Sequence, residues 1–129
     1  MAQVKVYGLR DTLEVAREHW SRIIHDALVE TLGLPPEKKF QRFIGLDPGD
    51  FIFPADRTFA YTIIEISMFA GRSPEAIKAL IKKIMADAQA SLNIVANDIE
   101  ITVTETPKHC WGIRGKTGDE LALSYKVEV

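Results

Sequence analysis

Ile64-Glu65-Ile66-Ser67-Met68-Phe69-Ala70-Gly71-Arg72-Ser73-Pro74-Glu75 changes its hydrophobic period partway along. Ile64, Ile66 and Met68 alternate with Glu65 and Ser67, the two-residue period of a half-buried strand. Ser73 then offers a hydroxyl N-cap, and Pro74 the pre-set φ of a first helical position. Beyond them Ile77, Leu80, Ile81, Ile84, Met85, Ala88 and Leu92 follow the i, i+3, i+4, i+7 spacing of one buried helix face. Asn93 suits a left-handed C-cap. After a short linker, Ile99, Ile101 and Val103 form the inward face of a strand over 99–104.

About sixty residues earlier the same order occurs. Val4 and Val6 alternate with Lys5 and Tyr7. Leu13, Ala16, Trp20, Ile23, Ile24, Ala27, Leu28 and Leu32 line one helix face. Asp11-Thr12-Leu13-Glu14 has the form of a capping box, and Leu32-Gly33-Leu34 matches Leu92-Asn93-Ile94 at the helix end. A second strand runs over 40–46. Each half is therefore a strand, a helix and a strand, and a crossover helix makes its two strands parallel and the connection right-handed.

The predicted fold is α+β: a tandem β-α-β repeat in one domain, 1–129, with repeat one at about 1–60 and repeat two at about 61–129. It forms a four-stranded mixed sheet with both helices on one face. The other face, carrying Tyr7, Arg42, Glu65, Glu100 and Thr102 or the opposite set in the other register, stays uncovered and suggests self-association. Two segments lie outside the repeat. Residues 47–60 read as a hairpin or ordered loop. Residues 105–129 end in the alternating Tyr125-Lys126-Val127-Glu128-Val129, which reads as a strand, one that could pair with a neighbouring subunit.

Length and composition agree with an ordinary globular domain: 129 residues, 47% hydrophobic and 26% charged. A net charge of −2 gives no electrostatic case for nucleic acid or anionic membranes. Basic strands rich in aromatics are also absent, which argues against a β-α-β nucleic-acid module. No apolar run is long enough to span a bilayer, the N-terminus lacks a signal-peptide core, and the single cysteine, Cys110, allows no internal disulfide. Together these predict a cytoplasmic protein. No phosphate-cradling loop, Ser/His/Asp order or zinc motif occurs. His109 and Cys110 are adjacent, and His19 and His25 do not share a helix face, so no metal is expected. Lys38 and Lys39 read as solvated charges at a strand entrance. The loop carboxylates Asp47, Asp50, Asp56, Asp119 and Glu120 read first as loop caps, and Trp20 as core.

Gly71-Arg72-Ser73 between strand and helix, the strand Glu100-Ile101-Thr102-Val103-Thr104-Glu105 and the segment Cys110-Trp111-Gly112-Ile113-Arg114-Gly115 together resemble the tautomerase superfamily. Its small members carry Gly-Arg-Ser/Thr at the helix start, an Ile-Thr-Glu strand and a final aromatic-Gly-Ile-x-Gly hairpin. The length is similar to the long, fused two-repeat members, such as the malonate semialdehyde decarboxylase group. Tyr7-Gly8-Leu9, Arg42-Phe43, Asp50-Phe51, Asp56-Arg57 and Trp111-Gly112-Ile113-Arg114-Gly115 resemble a bacterial subgroup of tautomerase-like proteins. The resemblance covers nearly the whole chain.

That resemblance implies a homotrimer and cofactor-independent keto–enol tautomerisation, or related chemistry, on small 2-oxo acids. In the family an amino-terminal proline, exposed by loss of the initiator methionine, is the general base or acid. An α-amino group titrates near pH 7.7–8, about where a base must sit at neutral pH, so only a modest depression is needed. Here Ala2 occupies that position. With Met1 removed, Ala2 would present a primary amine, competent as a base or for Schiff-base formation; with Met1 in place the chain runs one residue past that point. Arg72 matches the family arginine that serves the substrate, or it pairs with a carboxylate at the helix start. Trp111 matches an aromatic pocket wall, or it is a trimer contact. Arg42 and Arg114 bind the anionic substrate or form inter-subunit ion pairs. The acid that decarboxylase-like members carry before the second strand falls near Lys38, so no carboxylate there activates water. The resemblance leaves two readings. One is a tautomerase acting on a small carboxylated keto or enol compound. The other is a non-catalytic trimer that keeps the pocket as a ligand-binding or structural protein after loss of the proline.

Overall fold

The computed structural model describes residues 2–129, so whether a free amine exists at Ala2, which turns on Met1, lies outside the described residues. The chain runs β1 (Ala2–Leu9), α1 (Arg10–Leu32), β2 (Gln41–Leu46), β3 (Thr62–Phe69), α2 (Pro74–Leu92), β4 (Ile99–Thr106), and a small hairpin of β5 (Gly112–Ile113) and β6 (Lys116–Thr117). The main sheet has the order β2-β1-β3-β4. β1 pairs parallel with β2, and β3 with β4, while β1 and β3 meet antiparallel in the middle. This is the predicted tautomerase fold, with each repeat contributing one parallel pair.

The period-2 pattern sets the faces. Val4, Val6, Ile64 and Ile66 point inward and are fully buried beneath Trp20, Ile24, Leu28, Leu80 and Ile84 of the helices. Each such side chain is worth roughly 1.5–3 kcal/mol of transfer free energy. On the outer face Lys5 lies between Arg42 and Glu65, and Tyr7 between Ile44 and Ile63. The Tyr7 hydroxyl bonds to Glu65, which holds its pKa above the usual phenol value.

α2 starts as its sequence dictates: Ser73 Oγ accepts from the Ala76 amide at 3.2 Å, and Pro74 follows. Both helices end on left-handed residues, Gly33 with φ 66° and Asn93 with φ 55°. The start of α1 differs from expectation. β1 runs straight into the helix with Leu9 at the N-cap and no side-chain cap, so no capping box forms at Asp11. The pairing of Leu9 with Leu46 carries the strand to the helix entrance. Asp11 then sits within the first turn, where a carboxylate still favours the positive helix end.

Residues 47–60 form an ordered loop, opening with a 3-10 turn at Pro48–Asp50. Phe51 and Phe53 pack on Tyr61, with ring centroids 5.4 and 5.1 Å away. The C-terminal tail is not the expected strand. Val127 is buried, and the Val129 carbonyl accepts from the Ser73 amide at 2.9 Å, so the tail docks on the entrance of α2. Gly71 permits this approach: its φ is 135°, and a Cβ there would meet Val127 Cγ1 at 3.2 Å. One-sided burial against a helix entrance produces the same alternation as a strand.

Candidate active site

Ala2 opens β1, is 6% exposed, and lies opposite Met68 on β3. The entry to β2 is alongside, since the Val4 amide donates to the Phe40 carbonyl at 3.0 Å. The residue after Met68 is Phe69, fully buried, and the surroundings are organised around it. Its carbonyl accepts from Arg72 Nη1 at 2.9 Å. Its ring meets Trp111 edge to face, with centroids 5.2 Å apart. Its side chain lines a cavity of about 70 Å³ together with Lys38, Ile113, Arg114 and residues 121–125.

Arg72 is 5% exposed, placed there by the turn between β3 and α2. Its backbone amide donates to Glu105 Oε1 at 3.3 Å. Its Nε and Nη2 are buried with no partner among the described residues, as is the Trp111 indole Nε1. Burial pulls the Arg72 guanidinium below its usual pKa, and the Glu105 and Glu128 carboxylates restore part of that loss. Buried N–H groups without acceptors are costly, and they mark a place where a further acceptor fits.

Arg114 is held at the tip of the β5–β6 hairpin. Ile113 pairs with Lys116, so Arg114 and Gly115 are the two loop residues, with φ values of 52° and 79°. Positive φ at both positions is the signature of a type I′ turn. Lys38 closes a turn by donating its amide to the Pro35 carbonyl at 2.9 Å, and its side chain reaches the cavity. Lys38 is thus a half-buried wall residue, where a solvated charge was expected. Arg42 is exposed on the outer sheet face opposite Lys5 and does not line the cavity. Arg72 and Trp111 therefore contact Phe69 and Arg114 lines the cavity with it, while Ala2 pairs with the neighbouring Met68, and none of Ala2, Arg72, Trp111 and Arg42 lines the cavity itself. Neither Phe69 nor residues 121–124 are candidates in the sequence, and Lys38 and Tyr125 carry other readings there. An aromatic residue at a strand end, directly before Ala70-Gly71-Arg72, is the local signal.

The remaining candidates resolve into structural roles. His25 Nε2 bonds to the Pro36 carbonyl at 2.6 Å. Cys110 is exposed and free. Among the described residues no three His, Cys, Asp or Glu side chains converge, and no helix is long and apolar enough to cross a membrane. Asp119 and Glu120 are held below the usual carboxylate range, chiefly by hydrogen bonds from Thr117.

Comparison with known proteins gives the family to which this strand-helix-strand repeat belongs. The family described as "Tautomerase enzyme" matches residues 38–114, and the chain belongs to it. FG41 malonate semialdehyde decarboxylase inhibited by 3-bromopropiolate is similar at 27% identity and a TM-score of 0.79, covering 94% of this chain and 98% of that one. Native fused 4-OT is similar at 20% identity and a TM-score of 0.79, covering 92% and 98%. N1, a member of the cis-3-chloroacrylic acid dehalogenase family, is similar at 18% identity and a TM-score of 0.77, covering 89% and 82%. The last two show the fold alone. Fused 4-OT proteins occur as symmetric and asymmetric trimers.

Proposed function

We propose that residues 1–129 act as one domain of a homotrimeric, cofactor-independent tautomerase or isomerase of small 2-oxo acids. It would belong to the long, fused two-repeat subgroup that lacks the amino-terminal proline, related to malonate semialdehyde decarboxylase-like proteins. The observation that carries this reading is the small cavity at Phe69, one residue beyond the strand partner of Ala2, lined by two cationic residues and mostly apolar ones. An amine at Ala2, freed by removal of Met1, would take a proton from the carbon next to the carbonyl and return it to the other end of the enol. Low-polarity, cationic surroundings depress an amine's pKa and suit it to that task. Arg114 would bind the carboxylate and Trp111 would wall the pocket through Phe69. Arg72 would position Phe69 through its bond to the Phe69 carbonyl, since it does not line the cavity itself. Arg42 would enter only across a subunit boundary.

Ala2 itself favours a second reading, a non-catalytic trimer that keeps the pocket for ligand binding or for structure. An enol–keto assay on an aryl pyruvate, run on wild type and Ala2→Pro with intact masses recorded, separates the two. The catalytic reading expects wild-type turnover in protein that has lost Met1. An inert wild type with an active Ala2→Pro means that the pocket persists and the base is gone. Inactivity of both, with no binding of a 2-oxo acid, ends the enzyme reading. A stable monomer in gel filtration would contradict the trimer.

A further inference from the structure

We infer that Lys38 and Arg114 form a paired-cation grip for the carboxylate of a small acid, with Lys38 as a specificity-determining residue. This rests on reading the Phe69 cavity as the site of small-acid chemistry. Both residues, Lys38 half-buried and Arg114 exposed, line a single space of about 70 Å³. Taken as compact, that volume is about 5 Å across, so an anion placed inside it lies near both residues. Neither residue has an ion pair or a side-chain hydrogen bond among the described residues, so both are open to an external anion. No Asp or Glu lines the cavity. Two cations against an apolar wall without a counterion repel one another, and an external anion relieves that repulsion.

The backbone at Arg114 supports the same conclusion. The first loop position of a type I′ turn favours Asn, Asp or Gly, because an ordinary side chain with positive φ crowds its own backbone. Arg114 sits there at φ 52°. Its side chain adds no hydrogen bond or ion pair to the hairpin that would offset this strain. Strained positions of this kind persist at ligand sites, where the side chain's task lies outside the fold. Arg114 reaches the cavity from that turn, while Lys38 approaches from the turn before β2.

The test measures pyruvate binding to the full chain by calorimetry, with uncharged pyruvamide as the comparison. Wild type should bind pyruvate and not pyruvamide, with affinity falling as salt rises. Lys38→Met and Arg114→Asn should each weaken binding by about tenfold or more, and Lys39→Met, outside the cavity, should leave it unchanged. Arg114→Asn should also raise Tm by about 3 °C, because Asn suits the turn; an arginine kept for stability would lower it. Equal binding of pyruvate and pyruvamide, unchanged affinity in both cavity variants, or no pyruvate binding at millimolar concentration would overturn the grip. Turnover is read separately. Binding that depends on Lys38 without any turnover sinks the tautomerase proposal and leaves the grip standing. Turnover with a KM indifferent to Lys38 and Arg114 does the reverse.

Discussion

The two ends of the main sheet use the same residue types to opposite effect. At the end where β1 finishes and β3 and β4 begin, Arg57 is held by Asp56 at 2.7 Å and Glu100 at 2.8 Å, with its guanidinium 5.7 Å from the centre of the Tyr61 ring. Asp98, also buried there, accepts from the Thr58 amide at 2.9 Å and from the Thr58 hydroxyl. Charge at this end is matched within the chain. At the opposite end, around Phe69, Arg72 has buried N–H groups without acceptors, and Lys38 and Arg114 have no counterions, among the described residues. A closed network clamps a loop, whereas an open set of donors costs stability until something anionic arrives. A wider apolar groove of about 820 Å³ also lies at the clamped end, but Asp11 and Asp98 line it, and those carboxylates disfavour an anion. Two cationic residues sharing one cavity, more than cavity size, locate the candidate site.

The largest effect should come from Phe69→Ala. Emptying a fully buried aromatic site costs about 3–5 kcal/mol, and it removes the surface against which Trp111 and the cavity are built. Urea unfolding should show the loss, with pyruvate binding abolished in whatever remains folded. At the clamped end, Asp98→Ala should cost about 1–3 kcal/mol by leaving the Thr58 donors unpaired, while pyruvate affinity stays at the wild-type value. If affinity fell with it, the two ends would not be independent.

The smallest effects are in the pH response of the clamp. Glu100 is held below the usual carboxylate range by hydrogen bonds from Tyr61 and Arg57. A depressed acid contributes stability above its unfolded pKa, and that contribution is lost as pH falls through the lower folded value. Burial and the bond to Glu100 push Tyr61 up to about 12. For a raised phenol the contribution is complete below about pH 10, its unfolded value, and disappears as pH climbs toward 12. Absorbance at 295 nm should show a latest-titrating tyrosine in wild type, Tyr61, that moves earlier in Glu100→Gln. An unchanged titration would mean that burial alone holds it.

Local chemistry made most of the fold legible. Alternation at Val4/Val6 and Ile64/Ile66/Met68, the helical spacing from Leu80 to Ile84 and Ala88, and the stops at Gly33 and Asn93 each express a rule acting within a few residues. The exceptions arise where a distant contact outweighs the local rule. Asp11-Thr12-Leu13-Glu14 has the form of a cap, but pairing with β2 carries β1 directly into α1. Tyr125–Val129 alternates like a strand, but Val127 is taken by the surface at Gly71.

The site divides in the same way. Sequence by itself determined the repeat, the helix stops, the family, and the candidacy of Ala2, Arg72, Trp111 and Arg114, because these depend on short spacings and short motifs. Tertiary structure decided that Phe69 joins them, that Lys38 faces the cavity and Arg42 does not, and that the tail forms a wall. Those facts depend on which strand ends meet, and residues 38, 69, 114 and 125 become neighbours only when the sheet order β2-β1-β3-β4 and the docked tail bring them to one end.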